Sequence, residues 1–125
     1  MRFQNVVAFD AVSGKTSANS DPIDLCHIFM VSAHVTISNV DVTGSVTVQV
    51  SNDLPSGAQE YPARTAPASW VDVSGASATL AGAGGVYDFL IPKMDVSYQW
   101  MRLAFTATNA SATGTLTAKV ASKGW

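Results

Sequence analysis

The chain has 125 residues, 47% of them hydrophobic and only 13% charged. That length suits one domain spanning residues 1–125 around one core, and the hydrophobic fraction excludes a disordered chain. The net charge is -2, and the seven basic residues (Arg2, Lys15, Arg64, Lys93, Arg102, Lys119 and Lys123) are scattered rather than clustered, so no nucleic acid partner is expected.

Ser, Thr, Ala and Gly take the place of the missing charges, and a surface polar through hydroxyls has little long-range repulsion to hold copies apart. Contact with identical neighbours is therefore expected. The single cysteine, Cys26, cannot form an internal disulfide, and its apolar surroundings read as core rather than as a nucleophile's setting. Asp10 interrupts the N-terminal apolar run too early for a secretory segment. The longest apolar stretch, residues 25–37, contains His27 and His34 and is too short to span a bilayer, so no membrane partner is expected.

Alternation with period two recurs along the chain, and no segment holds helical spacing over three turns. A first strand is predicted near residues 3–9, followed by a turn at Ser13-Gly14-Lys15 and an edge segment near residues 16–18. The run 26–37 places Phe29, Val31, Ala33, Val35 and Ile37 on one face and Ser32, His34 and Thr36 on the other. After Gly44, Val46, Val48 and Val50 point inward, against Ser45, Thr47, Gln49 and Ser51. Residues 52–69 carry Pro55, Gly57, Pro62 and Pro67 and read as the longest loop, the place to look for specific contacts.

Strand character returns at residues 70–73 and 78–80, and the glycine cluster at 81–85 reads as a hairpin turn into a strand at 86–91. Residues 98–106 set Met101, Leu103 and Phe105 inward against Tyr98, Trp100, Arg102 and Ala104. A turn at 109–114 then leads into Leu116, Ala118 and Val120, read as closing a C-terminal hairpin. The sum is an all-β fold, an antiparallel, jelly-roll-like β-sandwich of about eight strands.

No catalytic constellation emerges from the sequence. His27 and His34 lie in one strand at odd spacing, hence on opposite faces, and Cys26 points away from His27, so neither a triad nor a thiolate dyad is expected. No Cys or His pairs recur at ligand spacing, and Asp21 and Asp24 lack a calcium-loop pattern, so no metal or cofactor is expected. The sequon Asn109-Ala110-Ser111 matters only in a secreted eukaryotic protein. The aromatic side chains Tyr61, Trp70, Tyr87, Tyr98 and Trp100 are read either as packing residues or as a platform for a partner or sugar. The candidate contact residues are Tyr61, Arg64, Trp70 and Trp125.

Four segments, Val48-Gln49-Val50-Ser51-Asn52-Asp53, Ser69-Trp70-Val71-Asp72-Val73, Tyr98-Gln99-Trp100-Met101-Arg102-Leu103 and Thr113-Gly114-Thr115-Leu116 running on to Lys123-Gly124, together give the chain a family likeness. It resembles the small β-sandwich virion structural proteins of tailed bacteriophages, those that decorate the head or serve as head-tail accessories. The Ser-Asn-Asp, Trp and aromatic-Arg-Leu elements are also similar to discoidin-like carbohydrate-binding modules. Similar virion proteins join Ser-Asn-Asp to the Trp strand by a very short turn, whereas here residues 54–69 intervene. The resemblance implies a non-enzymatic bacteriophage virion structural protein present in several copies. Its implied partners are a major capsid or tail protein and copies of itself, and its implied location is the virion, assembled in the host cytoplasm. The alternative it implies is a carbohydrate-binding module that recognises a host surface glycan.

Overall fold

The computed structural model describes residues 2–25, 28–52, 69–81, 85–90 and 100–124, and among them every regular element is a strand. In chain order these are β1 (Arg2–Ser13), β2 (Ala18–Asn19), β3 (Ile23–Asp24), β4 (Ile28–Ile37), β5 (Thr43–Ser51), β6 (Val71–Ala81), β7 (Gly85–Leu90), β8 (Trp100–Ala107) and β9 (Thr115–Gly124). One sheet has the order β1-β9-β4-β7. The other has the order β2-β8-β5-β6, with β3 also pairing β8.

All pairings are antiparallel. Both β2 and β3 pair with β8, at Ala18↔Phe105 and Ile23↔Met101, so they act as two pieces of one interrupted edge strand. With that edge counted once, the two four-strand orders are those of a jelly roll, the architecture expected from the alternation in the sequence.

The inward residues of the two sheets form one core. Val31, Ala33, Val35, Ile37, Leu116, Ala118 and Val120 come from the first sheet; Val46, Val48, Val50, Val73, Leu80, Met101, Leu103 and Phe105 come from the second. The three β5 valines are 0–2% exposed, as their spacing requires. Each of these side chains stabilises the fold by about 1.5–3 kcal/mol relative to exposure, which holds the register of the central strands.

Four sequence expectations need revision. The strand predicted at 3–9 continues to Ser13, because register shifts between Val7 and Phe9 and between Phe9 and Val12 absorb the breaks in its alternation. Residues 71–73 and 78–80 belong to one strand, β6, with Trp70 just before it, and the break between the Gln49↔Asp72 and Thr47↔Ser77 pairs contains Gly75 at a φ of 82°. The glycine cluster at 81–85 does not close a hairpin, since β6 and β7 lie in different sheets. The turn at 109–114 likewise closes no C-terminal hairpin, since β8 and β9 lie in different sheets.

Two backbone positions carry opposite demands. Gly44 has a φ of 132°, and a Cβ there would collide with the Thr106 carbonyl oxygen on β8. Ala11 occupies the left-handed region at a φ of 50°, where its N–H donates to Thr117 Oγ1 at 3.2 Å. A non-glycine residue there costs about 1–2 kcal/mol, and glycine returns roughly 0.5–1 kcal/mol of that as unfolded-state entropy. In denaturant titrations, Gly44→Ala is expected to destabilise the fold by about 3 kcal/mol or more, and Ala11→Gly to stabilise it by about 0.5–1 kcal/mol.

Candidate functional site

Because β2 and β3 share one passage, the remaining connections alternate between the two ends of the sandwich. The roots of 53–68 (Asn52 and Ser69) and of 91–99 (Leu90 and Trp100) lie at one end, with the Arg2↔Gly124 pair that leads to Trp125. The segments 14–17, 38–42 and 108–114 lie at the other end. The candidate residues Tyr61, Arg64 and Trp125 fall outside the described residues, as do Cys26 and His27. Trp70 is described, and it anchors a cluster on the outer face of the second sheet.

The registers Gln49↔Asp72 and Gln49↔Arg102 set three polar side chains in one row across β6, β5 and β8. Gln49 joins its neighbours through both ends of its amide. Its Nε2 donates to Asp72 Oδ1 at 2.8 Å, and its Oε1 accepts from Arg102 Nε at 2.7 Å. The Arg102 guanidinium lies over the Trp70 ring, with Cζ 4.4 Å from the ring centre. Partial burial lowers the Arg102 pKa from its ordinary value, but a guanidinium stays charged in a protein. Arg102 therefore makes a charge-assisted hydrogen bond and a cation–π contact at once, and together they hold Trp70 in place at the C-terminal root of 53–68.

Next to this row, Trp100 pairs with Ser51 and Asp24. Trp100 is only 8% exposed, and its indole Nε1 meets no acceptor among the described residues. Ser51, predicted to face outward with Gln49, is buried as well. At Ser51 and Trp100 the second sheet is thus covered on a face that simple alternation leaves open.

At the opposite end, Asp41 ties two connections together. Its Oδ2 accepts from Thr113 N at 2.6 Å and from Thr113 Oγ1 at 2.8 Å, while Oδ1 accepts from Gly114 N at 3.2 Å. Asn109 Nδ2 donates to the Asp41 carbonyl oxygen, and Asn109 Oδ1 accepts from Ser111 N. The asparagine of the sequon is thereby a structural part of this loop pair. Gly114 is needed for the close approach, because a Cβ would lie 2.7 Å from Asn39 Cβ and 2.8 Å from Val42 Cγ2.

The outer face of the first sheet carries two shallow depressions, of about 210 and 420 Å³. Asn5, Ser32 and Ala121 line both; Met30 and Lys123 flank the first, and Val7, His34 and Lys119 the second. Among the described residues no three His, Cys, Asp or Glu side chains gather as ligands for one ion. No described helix is long and apolar enough to cross a membrane.

No family model matches the chain, and no curated protein matches it. Among solved structures, it is similar to the SPBc2 prophage-derived protein YomS. The TM-score is 0.57 at 8% sequence identity, and the likeness covers 97% of this chain and 92% of that one. At that identity the likeness is one of fold, shared from end to end.

Two side-chain substitutions test the arrangement. Arg102→Ala removes the Gln49 hydrogen bond and the contact with Trp70, and is expected to destabilise the fold by about 1–3 kcal/mol in chemical denaturation. The Asp41 carboxylate is held below its ordinary pKa of 3.8, first by the Thr113 N–H, then by the Thr113 hydroxyl and, more weakly, by the Gly114 N–H, against an opposing desolvation effect. A depressed folded-state pKa contributes stability above the unfolded value, and that contribution disappears as pH falls through the folded one. Asp41→Asn is therefore expected to lower stability at neutral pH and to flatten its fall below about pH 4, as read from melts taken across the acid range.

Proposed function

We propose that this chain is a non-enzymatic structural protein of a bacteriophage virion, present in several copies and acting as a capsid-decorating or head-tail accessory protein. The observation that carries the reading is a fold shared along nearly the whole length of both chains with a prophage-derived protein. Two further features support it. The surface is poor in charge, so identical or virion partners can approach without strong repulsion. The end of the sandwich that bears the roots of 53–68 and 91–99 is fixed by the Trp70-Arg102-Gln49-Asp72 row, a firm base for contacts made by the longest connection.

In this reading the partners are a major capsid or tail protein and further copies of the chain. Residues 54–69, with Tyr61 and Arg64, and the terminal Trp125 supply the contact. A glycan-binding role draws on the same aromatic residues, because jelly rolls also serve as lectins. Arg102 already occupies one face of Trp70, the described aromatic on which that role would rely.

The test is to purify intact particles from a host that makes this protein, detect the chain by mass spectrometry and place it by electron microscopy. The expected result is co-purification in many copies at symmetry-related positions. Recovery of the chain only in the soluble lysate, with binding on a glycan array that Trp70→Ala abolishes, would replace the virion reading with the glycan one.

A further inference from the structure

A β-sheet edge presents unpaired backbone N–H and C=O groups, and proteins blunt such edges with bulges, charges, prolines or short strands. Among the described residues, three of the four edges here are guarded. The β1 edge has two register shifts, the left-handed Ala11 and the exposed Asp10. The edge made by β2 and β3 is split into two-residue pieces, with Pro22 between them. The β7 edge is only six residues long.

The β6 edge is guarded only along its first half, where Asp72 and the break around Gly75 bend it. From Ser77 to Ala81 it pairs in unbroken register with β5, from Thr47 back to Thr43. That stretch, Ser-Ala-Thr-Leu-Ala, has no charge and no proline, and its second edge pairs with no described strand.

We propose that residues 77–81 of β6 form an interface through which two copies of this chain pair antiparallel about Thr79. The stretch is self-complementary around that centre: Thr79 meets Thr79, Ser77 meets Ala81, and Ala78 meets Leu80. Ser77 and Thr79 are exposed, so the hydroxyl-bearing residues share the outer face. Threonine opposite threonine is a favourable cross-strand pair, and no like charges face one another across the twofold axis. Ala78 and Leu80 lie on the core side, opposite Val46 and Gly44 in the β5 register, so pairing would extend the buried layer from one copy to the next. The proposal stands on the edge geometry and is independent of the virion reading.

Sedimentation velocity of the purified chain, from low micromolar to submillimolar concentration, is expected to show a monomer–dimer equilibrium. Thr79→Lys places two like charges at the twofold axis and is expected to raise the dimer dissociation constant about tenfold or more, whereas Asn5→Lys on the β1 strand leaves it unchanged. Because the substituted site is exposed, both variants should keep the parent melting profile.

A second probe does not depend on weakening the pair. In a Cys26→Ser background, Thr79→Cys is expected to yield a disulfide-linked dimer under mild oxidation, since facing residues of an antiparallel pair lie about 4.5–5.5 Å apart at Cα. Asn5→Cys is expected to remain monomeric. A chain that stays monomeric throughout, a dimer indifferent to Thr79→Lys, or equal cross-linking at positions 5 and 79 would overturn the proposal.

Discussion

The structure depends on a constraint of connectivity: apart from the β2–β3 edge and the β5–β6 connection, every link carries the chain from one sheet to the other. Neither sheet can be completed without most of the other. The β1–β9 pairing joins Arg2 to Gly124, and the β4–β9 pairing joins Ile37 to Leu116, so even neighbouring strands in a sheet come from distant parts of the sequence. Such pairings carry a large loop-closure entropy before any contact offsets it. What offsets it is the shared apolar layer between β5 and β8 on one side and β4 and β9 on the other.

That constraint explains why polar side chains bridge the chain at both ends. Asp41 reaches Thr113 and Gly114 across more than 70 residues, binding the β4–β5 connection to the β8–β9 connection where both cross the same end of the sandwich. Gln49 links Asp72 to Arg102 across the second sheet, next to the root of the longest connection. The Asp41 carboxylate satisfies the Thr113 and Gly114 N–H groups, which the crossing chain would otherwise leave without partners, whereas Gln49 joins side chains of three strands in one sheet. The two differ in chemistry. The Asp41 cluster is a carboxylate held by N–H and O–H donors and so senses acid, whereas the Arg102 cluster rests on a guanidinium whose charge is fixed.

The fold was legible in the sequence to the extent that it rests on local period. Val46, Val48 and Val50, and Met101, Leu103 and Phe105, announce their buried faces because a strand alternates at every second residue. The sheet to which a strand belongs leaves no such mark. The glycines at 82–85 and the turn at 109–114 mark reversals correctly, yet a reversal within one sheet and a crossing to the other use the same residue types. For the same reason Gln49, Asp72 and Arg102 leave no mark as a unit in the sequence: each looks like an ordinary outward residue, and only the register brings them together. Of the sequence-derived contact residues, Trp70 lies in that unit, while Tyr61, Arg64 and Trp125 are outside the described residues. A signal was available for the extended β1, where the three-residue step from Phe9 to Val12 breaks the period in the way a bulge does.

The same physics divides the molecule's surface into parts of different character. Where the sheets meet their connections, hydrogen bonds and bulky aromatics fix the backbone: Trp100 is buried on what alternation marks as an outer face, and Trp70 is pinned beneath a guanidinium. Where the sheets meet only water, charges are few, so little repels an approaching copy, and exposed apolar side chains such as Val7 and Met30 stand among the polar ones. A chain that must form its two sheets together has little freedom to vary its core, but its edges and its longest connection are released from that demand. Differences in partner between proteins that share such a core are therefore expected to lie in edge strands and in insertions such as 54–69, while the crossing connections stay fixed by the sheets they join.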